Sequence, residues 1–327
     1  LMKKIVDLDK LDIVKLGQKT MLEDNVFSVS WILGRFCNYD CSYCWPYAKS
    51  KVVDHRPLEQ YITTMDQIKI QARDNGFSKF HFSFSGGEPT AYKGLTKLIE
   101  AYNDPISDYL SVHMTTNASP GFNWWNKWLT STDRLDRKSL TASYHAEFSN
   151  EKEFIGKLTF LQEHDVLVTI NQVMVPSMFD EYYKRAMRFK NAGLHVTLKP
   201  QSNDTASAVV EGYSAQQWEI LQNEIEQETS QLLLYDKAGT EYTLDQAERL
   251  NAYQFNKFKG WMCNSGYQSC IIREPGGEIK RAYSCHDEPL GTIDTGFNLF
   301  KERKVCITPT CVSSADSKIP KELVYED

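Results

Sequence analysis

Between residues 26 and 201, six short apolar runs rich in β-branched and aromatic residues alternate with five stretches of helical periodicity. The runs at 26–33, 80–84, 110–114, 140–144, 166–175 and 196–199 read as strands. The segments at 58–74, 95–102, 124–129, 151–164 and 181–191 read as helices, the last stopped by Gly193. Such alternation argues for parallel strands joined by right-handed helical crossovers. Six units are too few for a closed eight-stranded barrel, so the expected fold is α/β, an open, partial (β/α)6 barrel. Every informative polar cluster falls just after a strand. In such architectures the chemistry sits at the carboxyl ends of the strands.

The pattern changes after Gln201. Residues 202–208 read as a linker, and Ser214 as the cap of a helix reaching about residue 228. A hairpin is expected over 232–244 around the turn 236–239, then a helix over 245–258. A second hairpin, 271–273 with 279–283, turns at Pro275-Gly276-Gly277. The expected division is an N-terminal extension (1–25), the barrel (26–201), a helical and hairpin linker region (202–260), and a small C-terminal β-hairpin/helix extension with its tail (261–327).

Composition removes several function classes. A net charge of −6 gives no basic footprint for nucleic acid. No apolar run is long enough to span a membrane. The first residues carry scattered Lys and Asp and no apolar core, so no export signal is expected and the chain reads as cytoplasmic. Eight cysteines in such a chain point to metal or catalytic use rather than disulfides. Three of them fall within 37–44 and five within 263–311, with none between.

Cys37, Cys41 and Cys44 form a CxxxCxxC triplet, three thiolates from one loop. A [4Fe–4S] cube takes four ligands, so a triplet leaves one iron open. A structural zinc site would need a fourth ligand, and no neighbouring His or Cys completes one. With Tyr43 before the third cysteine, the loop resembles the signature of the radical S-adenosylmethionine (radical SAM) enzymes. The resemblance implies that Cys37, Cys41 and Cys44 hold the cluster, that S-adenosylmethionine chelates the open iron, and that Tyr43 lies near the adenine.

Gly86-Gly87-Glu88-Pro89 follows the second strand. Glycines allow close backbone approach, and a carboxylate beside them accepts bonds from an ammonium. One βα unit after the cysteine loop, the run resembles the family's motif for the methionine amino group. Thr116-Asn117 and Ser143 resemble its polar contacts to ribose and methionine, although Asn at a strand end is commonly a turn residue. Asn171 and Gln172 are weaker candidates. Where relatives carry an arginine early in the fourth helix, this chain has Asn150-Glu151-Lys152.

Cys263-Asn264-Ser265-Gly266, the Gly276-Gly277 turn, Cys285, Cys306 and Cys311 resemble the SPASM/twitch extension of the same enzymes. That implies one auxiliary [4Fe–4S] cluster on Cys263, Cys285, Cys306 and Cys311; a four-cysteine zinc site would look alike in sequence. Cys270 falls on an apolar strand position and reads as a small hydrophobe. His145, Glu147 and Lys199 follow strands and are candidates to touch substrate or move a proton, with Gln201 and Asp204 beside them. Trp124, Trp125 and Trp128 read as helix packing, and Lys318–Lys321 as solvated surface.

The resemblance implies reductive cleavage of S-adenosylmethionine to methionine and a 5′-deoxyadenosyl radical. That radical takes hydrogen from a substrate C–H bond, with an electron donor such as flavodoxin or ferredoxin and the auxiliary cluster as electron acceptor. About 25 residues before the first strand leave little room for a peptide-recognition domain, so the expected substrate is a small molecule such as a sugar. The chain also lacks a Gly-Gly terminus, which disfavours a molybdopterin-type GTP cyclase. A peptide- or protein-modifying maturase and a non-catalytic iron–sulfur redox or binding module are the alternatives.

Overall fold

The computed structural model describes residues 8–204, 208–223, 232–244, 250 and 254–324. In chain order the elements are β1 (Ile13–Gln18), α1 (Lys19–Leu22), β2 (Val26–Ile32), α2 (Leu58–Asp74), β3 (Lys79–Ser85), α3 (Leu95–Tyr102), β4 (Tyr109–Thr116), α4 (Phe122–Ser131), β5 (Arg137–Ser143), α5 (Glu151–Gln162), β6 (Leu167–Met174), α6 (Phe179–Asn191), β7 (His195–Pro200) and α7 (Ala215–Asn223). There follow β8 (Leu232–Asp236), β9 (Glu241–Leu244), β10 (Met262–Cys263), β11 (Ser269–Arg273), β12 (Glu278–Lys280), β13 (Gly291–Thr292), β14 (Gly296–Phe297), β15 (Lys304–Val305), α8 (Ser314–Ser317) and β16 (Lys321–Glu322).

Two sheets organise these elements. The larger has ten strands in the order β14-β13-β12-β11-β2-β3-β4-β5-β6-β7. Strands β2 to β7 are parallel neighbours in sequence order, the expected partial barrel, open between its edges. Its strands alternate strictly. Phe27, Val29 and Trp31 of β2, Phe80, Phe82 and Phe84 of β3, and Leu110, Val112 and Met114 of β4 are buried in one core with Tyr61, Met65 and Ile68 of α2. Each such side chain contributes roughly 1.5–3 kcal/mol on burial. Trp125 and Trp128 lie in the same core, as helix packing. The alternate positions, such as His81, Ser83, His113, Ser139 and Thr141, face inward and are polar.

The second sheet runs β15-β10-β16-β1-β8-β9. It has its own core, in which Ile13, Leu16, Leu232, Leu234 and Phe258 surround Cys263, Cys306 and Cys311. Strands from the first 25 residues, from 232–244 and from the C-terminal stretch thus share one layer.

Several expectations need correction. Residues 13–18 form a strand, which the mixed charge of the N-terminus had hidden; β1 lies between β16 and β8. Within the expected helix at 245–258, residues 255–258 are not helical and 245–249 and 251–253 lie outside the described residues. The second hairpin, β11–β12, joins the barrel sheet: β11 pairs parallel with β2 and adds a seventh parallel strand. Lys321 is buried, not solvated. Its Nζ donates to the carbonyls of Asp316 (2.7 Å), Ser317 (3.3 Å) and Ile319 (2.8 Å), so its charge is met by three backbone dipoles. Lys318 is half-buried against the barrel lumen. The expected cap holds: Ser214 Oγ accepts from Gln217 N, and Gln217 Oε1 accepts from Ser214 N, a reciprocal box.

Candidate functional site

The cysteine loop leaves the end of β2 and is held by its own backbone. Cys37 N donates to Ser50 O (3.1 Å), and Cys44 N to Cys41 O (3.2 Å). Lys51 Nζ bonds the carbonyls of Cys37 (3.0 Å) and Tyr39 (2.8 Å), and Lys49 Nζ that of Cys41 (2.8 Å). Asp54 receives Arg35 N at 2.9 Å. The two lysines and Asp54 lie outside the triplet, and nothing in its spacing announces them.

The glycines after β3 meet this loop rather than empty space. Gly87 N donates to Gly34 O (2.9 Å) and Glu88 N to Phe36 O (2.8 Å). A Cβ on Gly87 would overlap the carbonyl oxygens of Arg35 and Phe36, and one on Gly86 that of Gly34. Gly86 also sits at φ +130°, where side chains are strained. The close backbone approach foreseen for a ligand is made, at these two residues, by the segment leading into Cys37.

Glu88 is buried and gathers four donors. Oε1 accepts from Thr90 N (3.0 Å), Thr90 Oγ1 (2.6 Å) and Thr116 Oγ1 (2.7 Å), and Oε2 from Asn117 N (2.6 Å). Burial pushes its carboxyl upward while these bonds pull the other way. Oε1 is full, and Oε2 keeps acceptor capacity. Asn117 is engaged as well, its Nδ2 donating to Asn38 Oδ1 (2.8 Å) and its Oδ1 accepting from Ser119 N (2.9 Å).

A cavity of about 180 Å³ opens here, and its walls include all three cysteines, Gly86 to Glu88, Asn117, Ser143 and His145. Cys41 is buried and its thiol is pushed up to about 12, by burial first and then by Glu147 and the other two cysteines. Tyr43 does not line this cavity. It stacks on His145, and Tyr43 Oη shares a 2.9 Å hydrogen bond with His145 Nδ1. Burial holds His145 down at about 4, so the ring is neutral near pH 7. Glu147 is committed to the loop, accepting from Ser42 N (3.0 Å) and Ser42 Oγ (2.7 Å). Lys199, Gln201 and Asp204 are not among the cavity-lining residues; Gln201 N donates to Tyr213 Oη (2.7 Å). Gln172 is buried with Oε1 unpartnered. Asn150 caps α5, its Oδ1 accepting from Glu153 N.

The second cysteine group forms in the small sheet. Pairing of β10 with β15 and β16 places Cys263. Cys306 N donates to Trp261 O, and Cys311 N to Asn256 O, each at 2.8 Å. Cys285 packs against the same core, and Asp316 pins its approach by accepting from Tyr283 N and Ser284 N. Burial pushes the Cys285 thiol up to about 11 and that of Cys311 up to about 12; Cys263 adds to both shifts. Cys270 lies apart, in the barrel core, its thiol pushed up by burial alone. Gly266 takes φ +84°, and a Cβ there would meet the Phe300 ring, so the glycine of Cys263-x-x-Gly266 serves a turn and a close packing.

Arg281 is buried beside this group. Its Nε donates to Ser265 Oγ (2.8 Å), which also receives the Cys263 thiol (3.3 Å), and its Nη1 pairs with Asp287 (2.8 Å). Nη2 is buried with no partner. Among the described residues, no three His, Cys, Asp or Glu side chains converge on a single metal ion. None of their helices is long and apolar enough to cross a membrane.

The Radical SAM superfamily model matches residues 31–136, from the end of β2 to the approach to β5. No curated protein matches the chain. Among solved structures, native anSMEcpe with bound AdoMet is similar over 83% of this chain and 79% of that one, with a TM-score of 0.51 and 14% identity. The same protein with AdoMet and the Kp18Cys peptide gives the same coverage, 0.52 and 13%. BtrN in complex with AdoMet and 2-DOIA covers 44% of this chain and 56% of its own, at 20% identity and a TM-score of 0.34, too low to carry an argument. At these identities the likeness is one of fold.

Proposed function

From a chain whose residues 31–136 match the Radical SAM superfamily model, we propose an enzyme that uses S-adenosylmethionine and a [4Fe–4S] cluster held by Cys37, Cys41 and Cys44 to take hydrogen from a small polar molecule. The observation that carries this is the single cavity lined by all three cysteines together with Gly86, Gly87, Glu88, Asn117 and Ser143. When bound, the cluster and S-adenosylmethionine supply a carbon-centred radical able to attack an unactivated C–H bond.

The residues fit these groups. Three thiols with two lysines anchoring their loop suit an anionic cluster with one open iron. Glu88 Oε2, one acceptor site free on a buried carboxylate, suits the methionine ammonium, and the four donors keep it aimed. The His145–Tyr43 stack backs the loop behind Cys44 and holds a neutral imidazole at the wall. Thr115 and Ser143 beyond the cysteines offer hydroxyls, which supports a polar small molecule as substrate.

We assign an auxiliary [4Fe–4S] cluster to Cys263, Cys285, Cys306 and Cys311. Cys263, Cys285, Cys306 and Cys311 share one satellite core. The orphaned Nη2 of Arg281 is the donor such an anionic group would use. On this reading 26–201 carries the radical site, 261–327 the auxiliary cysteines, and 1–25 and 202–260 the supporting strands. A peptide substrate is the second reading. It is favoured by the overlay with a protein bearing a bound peptide and by the exposed Trp45–Tyr47 stack beside the cavity.

Anaerobic reconstitution tests the proposal. About eight irons per chain and reductant-dependent release of 5′-deoxyadenosine are expected. Zinc with about four irons would remove the auxiliary cluster. No 5′-deoxyadenosine from fully loaded protein would leave a non-catalytic binding module.

A further inference from the structure

The seventh parallel strand brings a cation to the same end of the barrel as the cysteine cavity. Cys270 and Ile272 of β11 lie in the barrel core, so alternation puts Ser269, Ile271 and Arg273 on the lumen face. Ser269 and Ile271 accordingly line a small recess with Ser28 and Ser30 of β2. Arg273 is the last residue of β11, in register with Ile32, the last residue of β2 before the cysteine loop. It stands at the carboxyl end of the lumen face, where Thr115 of β4 and Ser143 of β5 line the cysteine cavity.

The Arg273 guanidinium is half-buried and lies over the Tyr283 ring, 5.0 Å from its centroid. Among the described residues no carboxylate pairs with it. Glu278, opposite it on β12, forms no ion pair with it, and Glu274 is engaged with Arg56 and with Gly277 N (3.0 Å). A guanidinium resting on an aromatic face keeps its fork of N–H donors open to a carboxylate or a phosphate. Tyr283 is exposed, and so are Trp45 and Tyr47, whose rings stack at 5.9 Å with an interplanar angle of 1°. Trp45 lines the cysteine cavity. Tyr47 links the two groups: burial first, then Tyr283 and Cys44, raise its phenol. Three exposed rings thus lead from Arg273 to the cavity. Such rings pair an apolar face with a wet edge, which suits a ligand with an apolar ring face and a polar rim.

We propose that the substrate of the radical site is a sugar acid or a sugar phosphate, its anionic group held by Arg273 and its ring laid against Trp45, Tyr47 and Tyr283. The proposal rests on the radical reading and narrows its small polar molecule to an anionic one with a ring.

The test is equilibrium binding of glucose 6-phosphate, glucuronate, glucose and inorganic phosphate to iron-replete protein saturated with S-adenosylmethionine, with 5′-deoxyadenosine release measured in parallel. Glucose 6-phosphate or glucuronate should bind saturably, and which of the two binds tells phosphate from carboxylate. Glucose and inorganic phosphate should each bind at least about tenfold more weakly. Arg273→Gln should weaken the preferred anion about tenfold and leave glucose unchanged. Arg273→Lys, which keeps the charge but not the fork, should weaken it severalfold. Tyr47→Ala should weaken glucose and the anion by a similar factor. Binding of neither anion, binding no tighter than that of glucose or inorganic phosphate, or undiminished anion binding in folded Arg273→Gln or Tyr47→Ala protein would each overturn the proposal. Release of 5′-deoxyadenosine without anion binding would overturn this proposal alone. Anion binding without that release would sustain the anion site while the radical reading falls.

Discussion

The two cysteine groups are built by opposite means. Cys37, Cys41 and Cys44 share one eight-residue loop, and hydrogen bonds at the strand ends hold it. Cys37 and Cys44 stay partly exposed on a cavity wall. Cys263, Cys285, Cys306 and Cys311 come from separate turns and strands, and three of them are buried within an apolar core. The first arrangement leaves room for a ligand beside its thiols. The second surrounds its thiols with protein and a buried arginine. An open group suits chemistry on a substrate, and a closed one suits electron transfer or structure.

The sharpest way to break this contrast is to remove one thiol from each group. Cys41→Ala should lower reductant-dependent 5′-deoxyadenosine release by at least about 10³-fold and remove about half the iron. Cys263→Ala should also lose about half the iron, yet keep cleavage of S-adenosylmethionine within about tenfold of the parent. Equal loss of cleavage in both, with the loop cluster of Cys263→Ala intact by spectroscopy, would show that the groups act as one unit.

Gly87 tests how the open group is held. A methyl there overlaps the carbonyl oxygens of Arg35 and Phe36, and overpacking of that kind costs about 1–3 kcal/mol. Gly87→Ala should displace the cysteine loop, so that iron at the first group falls while iron at the second stays. Iron analysis of Gly87→Ala combined with Cys263→Ala reads this directly, since only the loop cluster remains to be lost. Full retention of that iron would mean that the loop does not depend on its contact with the end of β3.

Much of this was legible because it is local. Strands β2 to β7 announce themselves through alternation, and the CxxxCxxC and Gly-Gly-Glu runs lie in single turns. Two of the four donors on Glu88 were not legible, because Thr116 and Asn117 reach it from the next strand. Strand β1 was hidden because Lys15 and Gln18 interrupt its apolar pattern, and its pairing partners lie more than two hundred residues away. The pairing of β11 with β2 is equally remote and made a barrel strand look like half of a separate hairpin. Lys321 was misread because an isolated lysine is usually exposed; only the fold supplies its three carbonyls.

The closed group should matter more for stability than the open one. Cys311 is buried in a small core, so in metal-free protein Cys311→Ala should cost roughly 1–2 kcal/mol through the cavity it leaves. Cys44, half-exposed on its loop, should cost under about 0.5 kcal/mol on the same change. Urea unfolding of the two metal-free variants makes the comparison. A larger loss for Cys44→Ala would mean that the loop, not the satellite core, is the more tightly packed site.

Acid should separate the two regions by a smaller margin. His113 lies inside the barrel, where burial above all, then Lys318 and Arg137, lowers its pKa from 6.5 to about 4. Both nitrogens of its neutral ring are engaged, Nδ1 with Ser139 Oγ and Nε2 with Thr141 Oγ1, and only one of them carries a proton, so a second proton would disrupt the bond at the other. The folded barrel therefore binds this proton less readily than the unfolded chain. The contribution is complete above about pH 6.5 and is lost as pH falls through about 4. In metal-free protein, stability should decline across that window, and His113→Gln should flatten the decline while lowering stability at pH 7. Urea midpoints from pH 7 to pH 4 measure both. An acid limb of unchanged slope in the variant would assign the loss to other groups and leave the barrel and the small sheet alike in their response to acid.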